Sequence, residues 1–499
     1  MESNYKSMSP SEFFYKNRQM AGYSNPSRSL FTIVKELIDN SLDSCESIGR
    51  LPNILLTIDS KNTDFIVISV IDNGSGIPVE NVPYVFGKVF YGSKFGYRQS
   101  RGALGMGVTM AILYSQISTN MPAEIETSVD GIFRYYYKIK IDIKNNEPII
   151  EEMKKVKNTE NWIGTSVRVY AKGDYVRARQ KILEYLNLTA LIAPYLSLKF
   201  IENDKLILKY ERVTKLMPYC PPECKPHPHG IDFESFMRYA QEDNDATILK
   251  FFTSTFQRVG VSTAKKFLKF VNISPNIKVH DLSQNTLYSI FKELSKFDFP
   301  KPDAKCLSPL GKKLLAESIK NRYSSQQFVY EISQPSSHHG HPFIIECIAF
   351  ISEKFSSNNE PKLIRFANRV PLIYSQSDDV FYNIIKGLKF NKRIFKEKYP
   401  IFLFHICSTH VPFRDIEKTA IATIPEIYDS GIKISSKCLS KLEKMIVGES
   451  TVQHSLKQQK ILRQHLRKSL KYAYYILYDH EPTEHELNKL LTRLEADNH

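Results

Sequence analysis

The chain has 499 residues, of which 42% are hydrophobic and 24% charged, and these proportions are typical of a globular protein and exclude a largely disordered chain. Lys and Arg outnumber Asp and Glu by 68 to 53, and the resulting net charge of +15 favours a polyanionic partner such as nucleic acid over a neutral metabolite. No apolar run approaches the roughly 20 residues that span a bilayer, so we expect an intracellular protein without a membrane segment. The seven scattered cysteines suit a reducing compartment.

The first part of the chain predicts an α/β unit. Apolar residues at helical spacing, short runs rich in β-branched residues and glycine-rich turns alternate along it. The predicted elements are a helix at 28–48, strands at 54–60 and 65–72, a glycine-rich stretch from Gly87 to Gly107 followed by an apolar helix, strands at 132–143 and 163–170, a helix at about 176–193 and a strand at 196–210.

A proline-rich linker at 217–230 separates this unit from the rest of the chain. It carries five prolines in fourteen residues, which forbids both a helix and a central strand. Residues 231–306 are predicted to be mostly helical. The remainder predicts mixed structure, with a helix at about 310–321, strands at 343–352, 362–374 and 400–407, and long helices to the end. The length alone suggests about three domains.

Four polar residues lie on the helix predicted at 28–48: Glu36, Asp39, Asn40 and Asp43. Glu36, Asn40 and Asp43 are four and three residues apart and therefore share a face. A carboxylate and an amide at this spacing can serve one metal–phosphate centre, with Glu polarising a water and Asn offering an oxygen to Mg²⁺. An ordinary solvated helix face is the alternative.

The second predicted strand ends in Asp72-Asn73-Gly74-Ser75-Gly76. An acid at a strand end, followed by two glycines with one residue between them, places a carboxylate beneath a permissive backbone. Such a carboxylate is a good acceptor for an exocyclic amine like that of adenine. An ordinary Asn-Gly turn would have the same local sequence.

A third motif runs from Arg101 to Gly107 and contains three glycines ahead of a helix. Backbone N–H groups in such a segment can converge on a phosphate, helped by the helix N-terminus. The pattern is neither a Walker motif nor a dinucleotide fingerprint. A flexible loop is the alternative interpretation.

In this order and spacing, the three motifs resemble the ExxDN, DxGxG and GxxGxG motifs of the GHKL ATPases, the family of gyrase, Hsp90, histidine kinases and MutL. Gly164-Thr165, at the start of a predicted strand, is similar to the fourth motif of that family. The resemblance implies a GHKL (Bergerat) ATP-binding domain and ATP and Mg²⁺ as its cofactors.

A closer resemblance extends from about residue 10 to about residue 430. Segments such as AGYSNPSRSL, FGKVFYGSKFGYRQSRG, RVGVSTAKKFLKF, NRVPLIY and VPFRDIEKTAIATIPEIY look like the B subunits of type IIB DNA topoisomerase VI. The implied fold is α/β (α+β) and multidomain. It comprises a GHKL ATPase domain at 1–225 with an N-terminal strap at about 1–20, a small helix–two-turns–helix domain at 226–306, and an α/β transducer domain with a C-terminal helical tail at 307–499.

The resemblance also implies roles for individual residues. Glu36 would be the general base, Asn40 the Mg²⁺ ligand and Asp72 the adenine-binding acid, and the transducer residue Lys418 would reach the γ-phosphate. An exposed lysine on the first turn of a helix is the alternative for Lys418. The remaining nucleotide-binding residues implied by the family are Gly76, Ser93, Lys94, Gly102, Ala103, Leu104, Gly105, Met106, Gly107, Val108, Thr109 and Thr165.

By resemblance, the chain would be the ATPase subunit of a DNA topoisomerase. ATP-driven homodimerisation would gate the passage of one duplex through a break that the A subunit makes, in an A2B2 heterotetramer, with relaxation and decatenation as the outcome. Double-stranded DNA and the A subunit are the expected partners, and the location would be cytoplasmic and nucleoid-associated, or nuclear in a eukaryote. A chaperone-like GHKL ATPase and a non-hydrolysing scaffold for a break-forming partner remain alternatives.

Three further clusters have alternative interpretations. Cys220, Cys224, His227 and His229 have the residue types of a zinc site but lie within ten proline-rich residues, and His338, His339 and His341 are expected in a loop. The third is a basic face on the C-terminal helix with an apolar stripe beside it. It is either a solvated face or a surface for DNA or the A subunit. Its residues are Lys457, Lys460, Arg463, Arg467, Lys468 and Lys471, and the stripe consists of Leu462, Leu466, Leu470 and Tyr474.

Overall fold

A computed structural model describes residues 7–92, 96–102, 105–352, 360–395, 399–415 and 418–496. The helices are α1 (Pro10–Lys16), α2 (Pro26–Ser47), α3 (Val82–Gly87), α4 (Gly107–Thr119), α5 (Tyr175–Ile192), α6 (Phe233–Glu242), α7 (Ile248–Thr255), α8 (Val261–Phe270), α9 (Gln284–Leu294), α10 (Gly311–Tyr323), α11 (Val380–Gly387), α12 (Lys392–Phe395), α13 (Pro425–Tyr478) and α14 (Glu484–Ala496).

The strands form two mixed sheets. Their bounds are β1 (Asn53–Asp59), β2 (Ile66–Ile71), β3 (Ala123–Ser128), β4 (Phe133–Asp142), β5 (Glu147–Lys157), β6 (Gly164–Ala171), β7 (Ser197–Glu202), β8 (Lys205–Tyr210), β9 (Phe328–Ile332), β10 (Ser336–His338), β11 (His341–Phe350), β12 (Lys362–Ala367), β13 (Val370–Pro371) and β14 (Ile401–Ser408). The first sheet has the order β5-β4-β3-β6-β2-β1-β7-β8. The second has the order β10-β11-β14-β12-β13, with β9 also paired to β11.

Helix α2 supplies one wall of the functional site, and its sequence explains where it begins. Asn25 caps it by accepting a hydrogen bond from the Arg28 N–H at 2.8 Å, and Pro26 occupies the first turn, where a missing N–H costs nothing. Its apolar stripe is buried with α4, α5 and the first sheet in one core. The polar residues of α2 are therefore held in fixed positions beside the end of β2.

Several predicted elements differ from the observed ones. The single strand expected at 196–210 is a hairpin of β7 and β8, because Asn203 and Asp204 both adopt positive φ and form the turn between them. The strand expected at 362–374 is likewise divided into β12 and β13, at Asn368 and Arg369. Strands β3, β5, β9 and β10 were not predicted.

The helical segment predicted at 231–306 is confirmed as α6 to α9, which share a core rich in phenylalanine. The three-domain boundaries at 225 and 306 remain a prediction. By backbone contacts the chain divides into two compact units, Met1–Lys389 with Glu397–Cys438, and Phe390–Lys396 with Leu439–His499. None of the described helices has both the length and the apolar character needed to cross a membrane.

Candidate functional site

A cavity of about 680 Å³ opens between α2, the end of β2, the start of α4 and segments of the second sheet. Most of the predicted site residues that the structure describes line it. They are Glu36, Asn40, Asp72, Gly76, Gly102, Gly105, Met106, Gly107, Val108, Thr165 and Lys418. The motifs that are separate in the sequence therefore face one space.

Glu36, Asn40 and Asp43 line the cavity together, so the shared helix face predicted from their spacing is confirmed. The Glu36 carboxylate lies at the start of α4, where a Cβ built on Gly107 would come within 1.8 Å of its Oε2. Only a residue without a side chain allows this approach. The carboxylate thus lies close to the N-terminal end of a helix, which favours negative charge.

Lys35 forms ion pairs with two carboxylates of the same helix. Its ammonium lies 2.9 Å from Glu36 Oε1 and 3.2 Å from Asp39 Oδ2. Burial alone would lower the pKa of Lys35, but the two carboxylates more than reverse this, and the pKa is raised. Asp39 also accepts a hydrogen bond from the Tyr185 hydroxyl at 2.7 Å and does not line the cavity.

Asp72 forms the floor of the cavity and is only 5% exposed. Its Oδ1 accepts hydrogen bonds from the N–H groups of Gly74 at 2.8 Å and Thr165 at 3.2 Å, and its Oδ2 accepts one from the Ser41 hydroxyl at 2.9 Å. Burial raises the pKa of Asp72, and the three donors oppose that shift. The carboxylate is therefore fixed in orientation, with acceptor capacity left on Oδ2.

Two glycines permit the backbone to close around this floor. Gly76 has φ +69°, and a Cβ there would come within 2.2 Å of the Ser128 carbonyl oxygen. Gly164 has φ +151°, and a Cβ there would lie 2.1 Å from the Asp72 carbonyl oxygen. The glycines of the second and fourth motifs are thus required by close approach as well as by backbone conformation.

The glycine-rich segment leads into α4 along the cavity wall. Gly102, Gly105, Met106, Gly107 and Val108 line the cavity. Thr109 does not: it is fully buried, and its hydroxyl donates to the Met106 carbonyl at 3.0 Å. Ser93, Lys94, Ala103 and Leu104 lie outside the described residues.

Lys418 reaches the cavity from the segment between β14 and α13. It is half-buried, has φ +56°, and its N–H donates to the Asp415 carbonyl at 3.2 Å. The alternative of an exposed lysine on a helix's first turn is therefore wrong, because α13 begins only at Pro425. A positive φ at a residue other than glycine stores backbone strain, which is common at functional positions.

A group of charged side chains, most of them buried, lines the cavity beside Asn40. Arg101 pairs with Asp43 at 2.6 Å and with both oxygens of Glu46, at 2.6 and 2.9 Å. Glu46 also accepts from Arg369 at 2.9 Å and from the Tyr195 hydroxyl at 2.6 Å. Burial would raise the pKa of Glu46, but Arg101 and Arg369 more than offset this, so its pKa is lowered.

Comparison of the sequence with known proteins shows which family the chain belongs to. A model of the "Histidine kinase-, DNA gyrase B-, and HSP90-like ATPase" family matches residues 25–170, and a model of the "Topoisomerase VI B subunit, transducer" family matches residues 302–460. The B subunit of type 2 DNA topoisomerase 6 from Saccharolobus islandicus strain Y.N.15.51 is 37% identical over 433 residues, covering 85% of this chain and 82% of that protein. The chain belongs to the family of type 2 DNA topoisomerase 6 B subunits.

A second relative of the same name, from Saccharolobus solfataricus, is 36% identical over 464 residues, covering 92% of this chain and 87% of that protein. Among solved structures, the ATPase region of Saccharomyces cerevisiae topoisomerase II covers 89% of this chain with 12% identity and a TM-score of 0.40. The assignment to the family of topoisomerase 6 B subunits depends on the sequence relatives and not on that structure. The expected fold class, a GHKL ATPase fold with a transducer and C-terminal helices, is confirmed.

Several polar residues that line the cavity were not predicted from the sequence. Ser41 follows Asn40 directly and holds Asp72, while Glu46 lies at the end of α2 and Arg369 in the turn between β12 and β13. NRVPLIY contributed to the resemblance, but its arginine was given no role. Glu46 and Arg369 are 323 residues apart, so no local pattern relates them.

Three of the four cysteine and histidine residues of the linker hydrogen-bond backbone carbonyls. Cys224 donates through its thiol to the Tyr97 carbonyl at 2.9 Å, and the side chains of His227 and His229 hydrogen-bond the carbonyls of Pro300 and Phe297, both at 3.0 Å. Cys220 is exposed. Within the described ranges, Glu346, His405 and Cys407 are the one group whose potential ligand atoms all lie within 4.8 Å of one another.

The other two clusters lie in a turn and on the long helix. His338, His339 and His341 lie at the turn between β10 and β11, where His339 has φ +44°. On α13, Arg467 forms an ion pair with Glu484 and Lys471 lies 3.4 Å from Glu481. Part of the basic face is therefore paired with acids near α14, while the side chain of Lys457 lies outside the described residues.

Proposed function

We propose that the chain is the ATP-binding and ATP-hydrolysing B subunit of a type IIB DNA topoisomerase, with the cavity as its ATP site. The observation that supports this most strongly is the convergence of Glu36, Asn40, Asp72, the glycine segment and Lys418 on one space of about 680 Å³. A cavity of this size is sufficient for a nucleotide. Family membership supplies the reaction, and the geometry supports the residue roles.

Asp72 is proposed to bind adenine. Its carboxylate is oriented by three donors and keeps acceptor capacity on Oδ2, which suits the exocyclic amine of adenine. Gly76 and Thr165 line the same end of the cavity. Adenine would therefore sit between the end of β2 and the start of β6.

The phosphates are proposed to lie at the start of α4. Gly102, Gly105, Met106, Gly107 and Val108 line the cavity there, and the helix N-terminus favours negative charge. Ser93, Lys94, Ala103, Leu104 and Thr109 remain in the proposed nucleotide-binding set on the family resemblance. For Thr109 the burial behind Met106 indicates a supporting position instead of direct contact.

The site also fits Mg²⁺. The half-buried Asn40 amide lines the cavity between Glu36 and Asp43, and Mg²⁺ takes oxygen ligands from one or two protein groups together with substrate phosphates and water. Asn40 would hold the ion, which when bound would neutralise charge on the phosphates. Asp43 is paired with Arg101 and is therefore already committed to another partner.

Glu36 is proposed as the general base that takes a proton from the attacking water. The Lys35 ammonium at 2.9 Å favours the ionised carboxylate, which is the form that accepts a proton. Lys418 is proposed to contact the γ-phosphate from the transducer. A cation that contacts only the terminal phosphate binds ATP and ADP differently, and such differential binding is what a conformational change requires.

The proposed partners follow from the family and the charge. Double-stranded DNA suits a chain of net charge +15, and the A subunit would make the break. We propose an ATP-dependent homodimer within an A2B2 assembly, located where the DNA is. The three-domain division at 225 and 306 remains part of the proposal. It is supported by the proline linker and by the separate core of residues 231–299.

The test is ATP turnover by the purified chain, followed by relaxation of supercoiled plasmid after the cognate A subunit is added. We expect turnover that Asp72→Ala abolishes through lost nucleotide binding, and relaxation that needs ATP and both subunits. Turnover without relaxation would point to a GHKL ATPase of another kind. If the chain neither binds nor hydrolyses ATP, the proposal is contradicted and the non-hydrolysing scaffold is the remaining alternative.

A further inference from the structure

Of three consecutive residues ahead of the glycine segment, two contact the second-sheet region directly and the third is linked to it through Glu46. The Gln99 side chain accepts from the Ser308 N–H at 2.7 Å, and the Ser100 carbonyl accepts from the Asn368 side chain at 3.0 Å. Arg101 reaches Arg369 through their shared partner Glu46. We refer to residues 99–101 as the stem segment, because it leads directly into Gly102 at the cavity.

Glu46 is the centre of these contacts. It accepts from two guanidinium groups and one phenol, and the side chains of Glu46, Arg101 and Arg369 are 9%, 3% and 4% exposed. Asp43 balances the second positive charge through its contact with Arg101, and all four charged residues line the cavity. A buried charge is stabilised only while its partners are in place. Displacement of one of these side chains therefore changes the energy of the others.

Arg369 occupies a backbone position that arginine disfavours. Asn368 and Arg369 form the two-residue turn between β12 and β13 with φ +47° and +67°. Turns of this kind favour Asn at the first position and Gly at the second. An arginine that accepts this strain indicates that its side chain has a function which glycine cannot replace.

The guanidinium of Arg369 donates three hydrogen bonds to two residues, in addition to the hydrogen bond of its backbone N–H. One nitrogen donates to Glu46 at 2.9 Å, and the other donates to the Ser308 carbonyl at 2.9 Å and the Ser308 hydroxyl at 2.5 Å. Its backbone N–H donates to His405 Nε2 at 3.0 Å, and the other ring nitrogen of His405 lies 2.7 Å from the buried Glu346. Glu346 in turn accepts from the N–H groups at the start of α10.

We propose that Arg369 is a positioning residue for ATP turnover: through Glu46 it holds Arg101 and the stem segment in place at the phosphate side of the cavity, and it links that side to the strands and helix of the transducer. The inference rests on the proposed function. It adds to the Lys418 contact a second connection between the transducer and the ATP site, made through protein groups alone. Arg369 lines the cavity, but the two terminal nitrogens of its guanidinium donate to Glu46 and Ser308, so we assign it a positioning role through Glu46 and Arg101 and not a catalytic one.

The decisive variant is Arg369→Gly in the full chain. Glycine suits the positive φ of the turn and keeps the N–H to His405, while Glu46 retains Arg101 and Tyr195, so we expect the variant to fold. Steady-state turnover and ADP affinity by calorimetry are measured with Mg²⁺ present. We expect turnover to fall about tenfold, within the range typical of coupling between sites, and ADP affinity to change less than about twofold.

A second measurement separates positioning from general stability. Hydrogen exchange of residues 366–372 is compared with and without a non-hydrolysable ATP analogue. We expect the analogue to slow exchange there in the unmodified chain but not in Arg369→Gly. Arg369→Lys keeps the charge but lacks the fork that joins Glu46 to Ser308, so we expect it not to restore turnover.

The matched control is Arg322→Ala. Arg322 lies on α10, donates to the Ala190 carbonyl of α5 at 3.1 Å and lies over the Tyr210 ring at 4.4 Å. It is therefore another arginine that joins the transducer to the ATPase region. We expect it to keep the turnover and the analogue-dependent exchange of the unmodified chain.

The outcomes are distinct. Turnover and exchange in Arg369→Gly equal to those of the unmodified chain would overturn the inference alone. An equal loss in Arg322→Ala would do the same, because the effect would then be general destabilisation. Absence of turnover in the unmodified chain would overturn the proposed function and this inference with it.

Discussion

The nucleotide cavity and the helical segment at 231–299 bury their side chains in opposite ways. The helical segment fills its core with phenylalanine, and the centroids of neighbouring rings lie 5.1–6.4 Å apart. These residues include Phe236, Phe251, Phe252, Phe256 and Phe267. In and around the cavity several of the buried side chains are charged, among them Asp39, Glu46, Asp72, Arg101 and Arg369.

The difference explains which region can respond to a ligand. Apolar contacts are non-directional and are satisfied within the helical segment itself. Buried charges need each partner at a defined distance, and here those partners come from α2, the stem segment and the β12–β13 turn. Substitutions should therefore change stability in one region and turnover in the other.

The largest effect is expected at the cavity, from Glu36→Ala. Loss of a general base typically costs about 10²- to 10⁴-fold in rate, while the binding groups and the core of α2 are untouched. Turnover should fall by that factor, with dimerisation on ATP and nucleotide affinity retained. Hydrolysis near the unmodified rate would remove Glu36 from the base role. Glu36→Gln, which keeps the shape, should behave in the same way.

The opposite signature is expected in the helical segment, from Phe252→Ala. Phe252 is fully buried among Phe236, Phe256 and Phe267, and truncation of such a residue costs about 3–5 kcal/mol of unfolding free energy. Urea unfolding checks the loss, and ADP affinity of the folded protein should be unchanged. Phe270→Ala is the control, because Phe270 is 53% exposed and should cost less than about 1 kcal/mol. Equal losses in both variants would contradict this account of the core.

The sequence predicted these two regions to different extents. The apolar period of α2 and the motif spacing predicted one helix face for Glu36 and Asn40 and a strand end for Asp72, because both depend on residues close in the chain, while the roles of these residues came from the family resemblance. Strand β5 was missed because the apolar residues of EPIIEEMKKVK follow a helical spacing and not the two-residue period of a strand. The Glu46–Arg369 pair could not be predicted, since it depends on how distant segments pack.

The free energy of unfolding is expected to depend on pH, because two histidines have lowered pKa values in the folded protein. Burial lowers the pKa of His227 from 6.5 to about 4, and burial together with neighbouring histidines does the same for His341. The unfolded chain then binds more protons than the folded one between these values. The stability contributed by the neutral rings is complete above about pH 6.5 and is lost as the pH falls towards about 4.

This dependence can be assigned to one residue by substitution. Each histidine should cost about 2 kcal/mol of unfolding free energy between about pH 7 and about pH 5. His227→Gln, which can still donate to the Pro300 carbonyl, should remove about half of that loss in urea unfolding at the two pH values. An unchanged slope would show that the His227 ring is not kept neutral in the folded protein.

The smallest effect is expected from Lys418→Ala, which tests whether the transducer reaches the cavity only through the buried charges. Lys418 lines the cavity and has a positive φ, and its proposed contact is with the terminal phosphate alone. Turnover should fall about tenfold, equivalent to about 1.4 kcal/mol, with ADP affinity kept because ADP lacks that phosphate. Lys418→Arg should recover part of the rate. Loss of ADP affinity, or an unchanged rate, would separate Lys418 from the γ-phosphate and leave Arg369 as the remaining connection.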